Sequence, residues 1–208
     1  MEKAKNVHEY IERQRRALAS NPDCGTSHYN LAVALLGIKQ YEEAENELFA
    51  AIDCSPGLAE AYVQLGGLRL RQGDLESCLD FNRRAVRVKP GFSEGWGNIG
   101  FVHMQRGEVD EAITALEKAT HFNFRFIQAF ATLANAYLAK GRIDDAIETN
   151  HKVLKLAPDF AVAHNNLAIC YLEKSDLEKA RLHCGKAIDL GYEVAPEIQR
   201  EIEADGEK

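Results

Sequence analysis

An all-α fold of stacked helix pairs is predicted by three features of the 208-residue chain. First, Pro22, Pro56, Pro90 and Pro158 are separated by 34, 34 and 68 residues, and 68 is twice 34. A period in that range marks an array of small helical or hairpin units. Second, with units starting at residues 25, 59, 93, 127 and 161, unit position 8 reads Ala32, Gly66, Gly100, Ala134, Ala168 and position 20 reads Ala44, Cys78, Ala112, Ala146, Ala180. Two columns restricted to small side chains let two helices approach closely. Third, apolar residues fall at positions 4, 7, 8 and 11, then at 17, 20, 24, 27 and 28, which is the spacing of two amphipathic helices per unit.

Each element follows from this register. Residues 1–24 open with half a unit, because Tyr10, Ala17 and Leu18 over residues 6–19 occupy second-helix columns and end at Pro22. This segment is expected to cap the array. Five units follow, at 25–58, 59–92, 93–126, 127–160 and 161–194. Their first helices are expected to stop at Lys39, Gly73, Gly107, Gly141 and Ser175, where a left-handed residue commonly ends a helix. Their second helices stop near the proline column, since proline lacks an N–H and fixes φ. Core columns are position 7 (Leu31, Leu65, Ile99, Leu133, Leu167), position 17 (Tyr41, Leu75, Val109, Ile143, Leu177) and position 27 (Ala51, Ala85, Ala119, Val153, Ala187). Phe122 and Phe126 lie in columns that are apolar elsewhere and are expected to pack. Phe124 replaces the proline of the third unit and is expected to be partly exposed or inserted between units three and four. Residues 195–208 supply a short helix, with Pro196 in its first turn and Ile198 and Ile202 on one face, and an acidic tail. No single helix can bury its stripe alone, so stability should be a sum of unit and nearest-neighbour terms.

Composition narrows the function. The 25 basic against 32 acidic residues leave −7, which disfavours a general nucleic-acid or anionic-membrane binder. No apolar run reaches the ~18 residues needed to span a bilayer, and the first residues are charged, so a cytoplasmic protein is expected. Five cysteines without a Cys-x-x-Cys pair fit reduced thiols.

The motif Trp96-x-x-Ile99-Gly100-x-x-His103 followed by Ala112-x-x-x-Leu116 resembles the tetratricopeptide repeat signature, and Tyr62-x-x-Leu65-Gly66 and Tyr137 with Gly141 echo it. The resemblance covers residues 25–194. It implies a right-handed superhelical solenoid whose first helices line a concave groove through positions 2, 5, 6, 9, 12 and 13. Read in those columns, the implied groove carries Asn30, Gln64, Asn98, Thr132, Asn135 and Asn166 as a polar stripe, with Val33, Phe101, Met104 and Ile169 beside it. Gly67 and Gly97 would leave room near its middle. A stripe of this kind is similar to the asparagine ladder in the tetratricopeptide arm of the O-linked N-acetylglucosamine transferase, though asparagine at position 6 is also common in ordinary repeats of the family.

The family's clamp for a C-terminal carboxylate needs lysine or arginine at set groove positions. The three possible windows offer Tyr29, Val33, Gln64, Glu94, Asn98, Val63, Gly67, Gln128, Thr132, Gly97, Phe101, Val162 and Asn166, with no cation among them. That function is rejected. The expected function is a non-enzymatic adaptor or scaffold whose groove binds a peptide segment or helix of a partner protein. With Glu60, Glu94 and Glu173 against Arg71, an apolar segment with neutral or basic flanks should be favoured. The alternative is a self-associating scaffold. The acidic first unit (Glu42, Glu43, Glu45, Glu47, Asp53) and basic second unit (Arg69, Arg71, Arg83, Arg84, Arg87, Lys89) could join copies into a homo-oligomer.

Other chemistry reads as coincidence. Gly91-Phe92-Ser93-Glu94-Gly95 matches the nucleophile elbow of serine hydrolases but follows a helix instead of a strand. His164, Cys170, His183 and Cys184 gather in the fifth unit without the spacing that puts two ligands on one helical face, so core packing is expected there and no metal or cofactor. No catalytic constellation is found.

Overall fold

A computed structural model describes residues 2–204, in which every regular element is an α-helix. The helices are α1 (Glu2–Ser20), α2 (Gly25–Gly37), α3 (Tyr41–Cys54), α4 (Ala59–Arg71), α5 (Leu75–Val88), α6 (Ser93–Gln105), α7 (Val109–Phe122), α8 (Ile127–Ala139), α9 (Ile143–Leu156), α10 (Ala161–Glu173), α11 (Leu177–Asp189) and α12 (Pro196–Ala204). They fall into two compact units of contact, residues 1–98 and 99–208, divided within α6.

The turns inside the helix pairs show how the sequence folds locally. Gly73, Gly107 and Gly141 take left-handed φ values of 80°, 74° and 73°, and Lys39 and Ser175 adopt the same conformation at 64° and 57°. A side chain there costs about 1–2 kcal/mol. The geometry is nonetheless kept, because in all five turns the next amide donates back to a carbonyl five residues earlier. Gln40 to Leu35 and Asp74 to Arg69 each measure 2.9 Å, and Arg142 to Tyr137 and Asp176 to Tyr171 each 2.8 Å. This is the closing bond of a Schellman turn. Asp74 adds a side-chain cap to α5 through the Ser77 amide at 3.0 Å.

In the first unit, α2 packs on α3 and α4 on α5 around Ala32, Leu48, Ala51, Ala61, Leu65 and Leu68. Helix α1 joins through Ile11, buried against Leu31, Leu35 and Ala44. The small column at position 8 is a steric requirement: a Cβ on Gly66 would collide with the Asn82 side chain, and one on Gly100, in the second unit, with Leu116. In that second unit, Phe130, Ala131, Val153 and Ala163 form one core, and Ala168, Ala180, Cys184 and Ala187 form another. Helix α12 closes the latter with Ile202, and Arg181 donates to the Ile202 carbonyl at 3.0 Å.

One expectation needs correction, and of the two alternatives for Phe124 the exposed one holds. Phe122 is 47% exposed and Val88 in the same column is 41% exposed, whereas Leu156 of that column packs on a core, so an apolar column is not buried in every repeat. Phe124 is 74% exposed and is not inserted between units. It sits in the turn after α7, where Arg125 and the Asn123 side chain close a local bond of 3.0 Å that needs no packed ring.

Candidate functional site

In the first unit, two cavities adjoin on the first-helix side. One, of about 630 Å³, lies between α1 and α2 and is lined by Val7, Tyr10, Tyr29, Asn30 and Val33. The other, of about 520 Å³, is lined by Tyr29, Glu60, Val63, Gln64, Lys89 and Phe92. Tyr29 belongs to both. Val33 is 42% exposed in the apolar cavity. Burial pushes the Tyr29 hydroxyl up, the nearby Glu60 carboxylate adds to that, and a hydrogen bond with Gln64 opposes it. Glu60 is in turn held below the usual carboxylate range by Lys89, whose Nζ donates to it at 2.7 Å. Of the residues read from the groove columns, the structure brings Asn30, Val33 and Gln64 to these cavities. Val7 and Tyr10 were missed as groove residues, since α1 was read as a cap or a surface for self-association.

The amide stripe divides into two kinds of residue. Asn98 donates through Nδ2 to Oδ1 of Asn82 at 3.0 Å, and fully buried Asn82 donates to the Cys78 carbonyl at 2.8 Å. In the second unit, Asn166 donates to Oδ1 of Asn135 at 2.5 Å and lies 3.5 Å from Oδ1 of Asn150, which donates to the Ala146 carbonyl at 2.9 Å. Asn166 is only 6% exposed. A buried amide left unpaired would cost ~1–3 kcal/mol, so these two pairs fix helix register before they can serve a ligand. Thr132 spends its hydroxyl on the Gln128 carbonyl at 2.8 Å. Phe101 and Asn135 are exposed, Met104 and Ile169 half-buried. Gly97 is buried and offers no open floor, whereas Gly67 is open.

The acidic and basic faces meet inside the chain. Arg69 pairs with Glu45, Arg15 with Glu43 at 2.6 Å, and the Arg71 guanidinium lies 3.6 Å over the Tyr41 ring. These cations are already engaged before any second copy arrives.

The fifth-repeat histidines form a ring cluster. His164 Nε2 donates to the Pro158 carbonyl at 3.1 Å, which leaves Nδ1 to accept from His183 Nδ1 at 2.9 Å. The His183 ring stacks on Tyr171 at 5.7 Å, and His151 meets its edge at 6.2 Å. Burial, then the neighbouring His164, Lys186 and His151, lowers His183 to about 4. Among the described residues no group of three or more His, Cys, Asp or Glu side chains could hold a metal ion. Ser93 opens α6 and donates to Glu94 at 2.9 Å. No disulfide joins the cysteines among the described residues, and burial lifts the Cys170 thiol to about 11. No helix among the described residues is long and apolar enough to cross a membrane.

Models of the tetratricopeptide repeat match residues 11–59 and 132–191, and a second model of the same repeat matches 93–123. No curated protein sequence matches the chain. Among solved structures, it is similar to YrrB, described as a TPR protein with an unusual peptide-binding site, at 21% identity over 94% of this chain and 99% of that one, with a TM-score of 0.75. It is also similar to PilF of Pseudomonas aeruginosa, at 19% identity over 99% and 92% of the two chains, with a TM-score of 0.81. MamA of Desulfovibrio magneticus RS-1 matches at 20% identity over 80% and 94%, with a TM-score of 0.70. At these identities the likeness shows the fold, an all-α array of helix pairs.

Proposed function

The chain belongs to the tetratricopeptide repeat family, whose fold serves protein–protein interaction, and from that premise we propose that its first unit binds a peptide segment or helix of a partner protein. The observation that carries the reading is the pair of adjoining cavities joined by Tyr29. The first offers an apolar wall of Val7, Tyr10 and Val33 with Asn30 as a donor and acceptor; the second offers Gln64 and Val63. Apolar concavities with a few convergent polar groups are where ligands seat. Glu60 takes the hydrogen bond of Lys89, while Glu94 accepts from the Ser93 hydroxyl and shares the field of the same lysine, which favours a segment with a neutral or basic flank. The peptide-binding site named for YrrB supports the same class of ligand. Phe101, Met104, Thr132, Asn135 and Ile169 extend the proposal to the second unit, with Asn98 and Asn166 as supports of register. The protein acts as an adaptor or scaffold, and cysteines outside any disulfide favour a reducing, cytoplasmic setting.

The test is a displayed library of random peptides panned on the wild type, with the recovered clones titrated against Val33→Asp. Val33 is exposed, so the charge perturbs the cavity and leaves the core intact. Binding should fall about tenfold or more, the equivalent of ~1.4 kcal/mol. Equal affinity for the variant, with unchanged helicity, would remove the cavity from the site. Light scattering of the same samples separates self-association, since a dimer unaffected by Val33→Asp would favour the homo-oligomer instead.

A further inference from the structure

The second unit carries a cleft of about 560 Å³ on its second-helix side, between α7 and α9, that the reading above does not use. Its origin lies in one column. Position 23 is His183 in the fifth repeat and Thr149 in the fourth. Between α9 and α11 the His183 ring fills the space against Tyr171 and His151. Between α7 and α9 the equivalent side chain is a buried threonine, and Phe130, Leu133 and Tyr137, each less than a tenth exposed, line the apolar floor of the cleft.

The rim is cationic. Lys152 and Lys155 of α9 line it. Glu117, the carboxylate on the opposite wall, accepts the Tyr137 hydroxyl at 2.8 Å. Lys152 has Glu148 at 2.7 Å, an exposed pair that holds it weakly. Among the described residues no carboxylate pairs with Lys155 or with Arg125, beside the cleft. Phe124 stands at the edge, 74% exposed. An exposed aromatic, an apolar floor and free cations together have the composition of a binding hot spot.

We propose that this cleft is a second docking site, taking an acidic peptide segment of a partner protein that lays one aromatic side chain on Phe130, Leu133 and Tyr137 and its carboxylates against Lys152 and Lys155. The charge decides the occupant. In a chain of net charge −7, the local excess is positive, so an acidic segment is complementary here and a basic one is not. A second copy offering its own Phe124 would bring Arg125 toward Lys152 and Lys155, which is repulsive. A small anion would leave Phe124 uncovered, whereas a peptide backbone can span it.

The probe is a fluorescein-labelled acidic octapeptide with one phenylalanine, titrated by anisotropy against the full chain. The K152E/K155E double variant, which alters only exposed side chains, should bind about tenfold or more weakly, as should the wild type toward the peptide with phenylalanine replaced by alanine. Thr149→His, copying the fifth repeat, should fill the cleft and abolish binding with helicity retained. Val33→Asp should bind like the wild type, so failure of the first-unit cavity and failure of this site are separable. The proposal is overturned by equal binding to K152E/K155E, by loss on Val33→Asp, by a wild-type affinity weaker than about 1 mM, or by a dimer in sedimentation that Phe124→Ala dissolves.

Discussion

Two neighbouring clefts of the second unit share one plan and differ in their filling. In each, a tyrosine at repeat position 11 bonds a polar residue at position 25 of the preceding repeat: Tyr137 to Glu117 at 2.8 Å, and Tyr171 to His151 at 3.2 Å. The second is packed with His164 and His183; the first is open because Thr149 does not reach across. A solenoid therefore keeps its register through small columns and turns while a single side chain per repeat decides whether a cleft is core or surface. The largest test of that difference is truncation of the shared leucine at position 7. Leu167 has no exposed surface, whereas Leu133 is 4% exposed and lines the open cleft. Leu167→Ala should cost toward the upper end of the ~2–5 kcal/mol seen for buried leucines, and Leu133→Ala toward the lower end, because part of its space is already solvent. Urea denaturation of both variants checks the order; equal losses would mean the open cleft is as well packed as the closed one.

Acid should separate the clefts next. His183 titrates near 4 in the folded chain, against ~6.5 for an unperturbed histidine. Its folded value is depressed, so the unfolded chain binds the proton more readily, and stability is fully present above about pH 6.5 and falls as the pH drops toward 4. The full difference is about 3 kcal/mol, borne by a side chain only 8% exposed. His164, His151, Lys155 and Lys186 surround the site, and Tyr171 is its neutral face, so the new charge meets no carboxylate among the groups that perturb it. Between pH 7 and pH 5, hydrogen-exchange protection, corrected for the slower intrinsic exchange in acid, should fall in α10 and α11 and change little in α7 and α8. His183→Phe should flatten the pH dependence.

The sequence made the frame legible and left the clefts obscure, for a physical reason. The period, the small columns at positions 8 and 20 and the five turn residues are local or repeated in every unit, so they survive reading one strip at a time. Whether Asn98 faces a ligand or a helix depends on position 24 of the preceding repeat, which alternates. Asn82 and Asn150 stand there before Asn98 and Asn166, and Leu48 and Leu116 stand there before Gln64 and Thr132. Reading the two columns together, at 68-residue spacing, would have exposed the structural pairs. The 560 Å³ cleft had no such signal, since Thr149 is ordinary in a helix and becomes informative only beside His183. Phe122 was misplaced because an apolar column was equated with a buried one.

The smallest expected effect concerns the shared tyrosine bond. Tyr137 donates to a carboxylate and, in the tautomer that leaves His151 Nε2 without a proton, Tyr171 donates to an imidazole; a bond to a charged group is the stronger, at ~1.5–3 kcal/mol against ~0.5–1.5. The environments work against that ranking. Glu117 is exposed, so in Tyr137→Phe its carboxylate recovers water, while half-buried His151 recovers less in Tyr171→Phe. Burial and Glu117 together raise the Tyr137 hydroxyl, which keeps it a donor at every accessible pH. The two losses should therefore converge near ~1 kcal/mol at pH 7. Acid should part them again, because His151, although held below the usual histidine range by burial and by Lys155, loses its acceptor nitrogen once protonated. Thermal melts of both variants at the two pH values measure this. A Tyr171→Phe penalty that persists undiminished at pH 5 would show that the hydroxyl serves packing in the ring cluster and not the bond to His151.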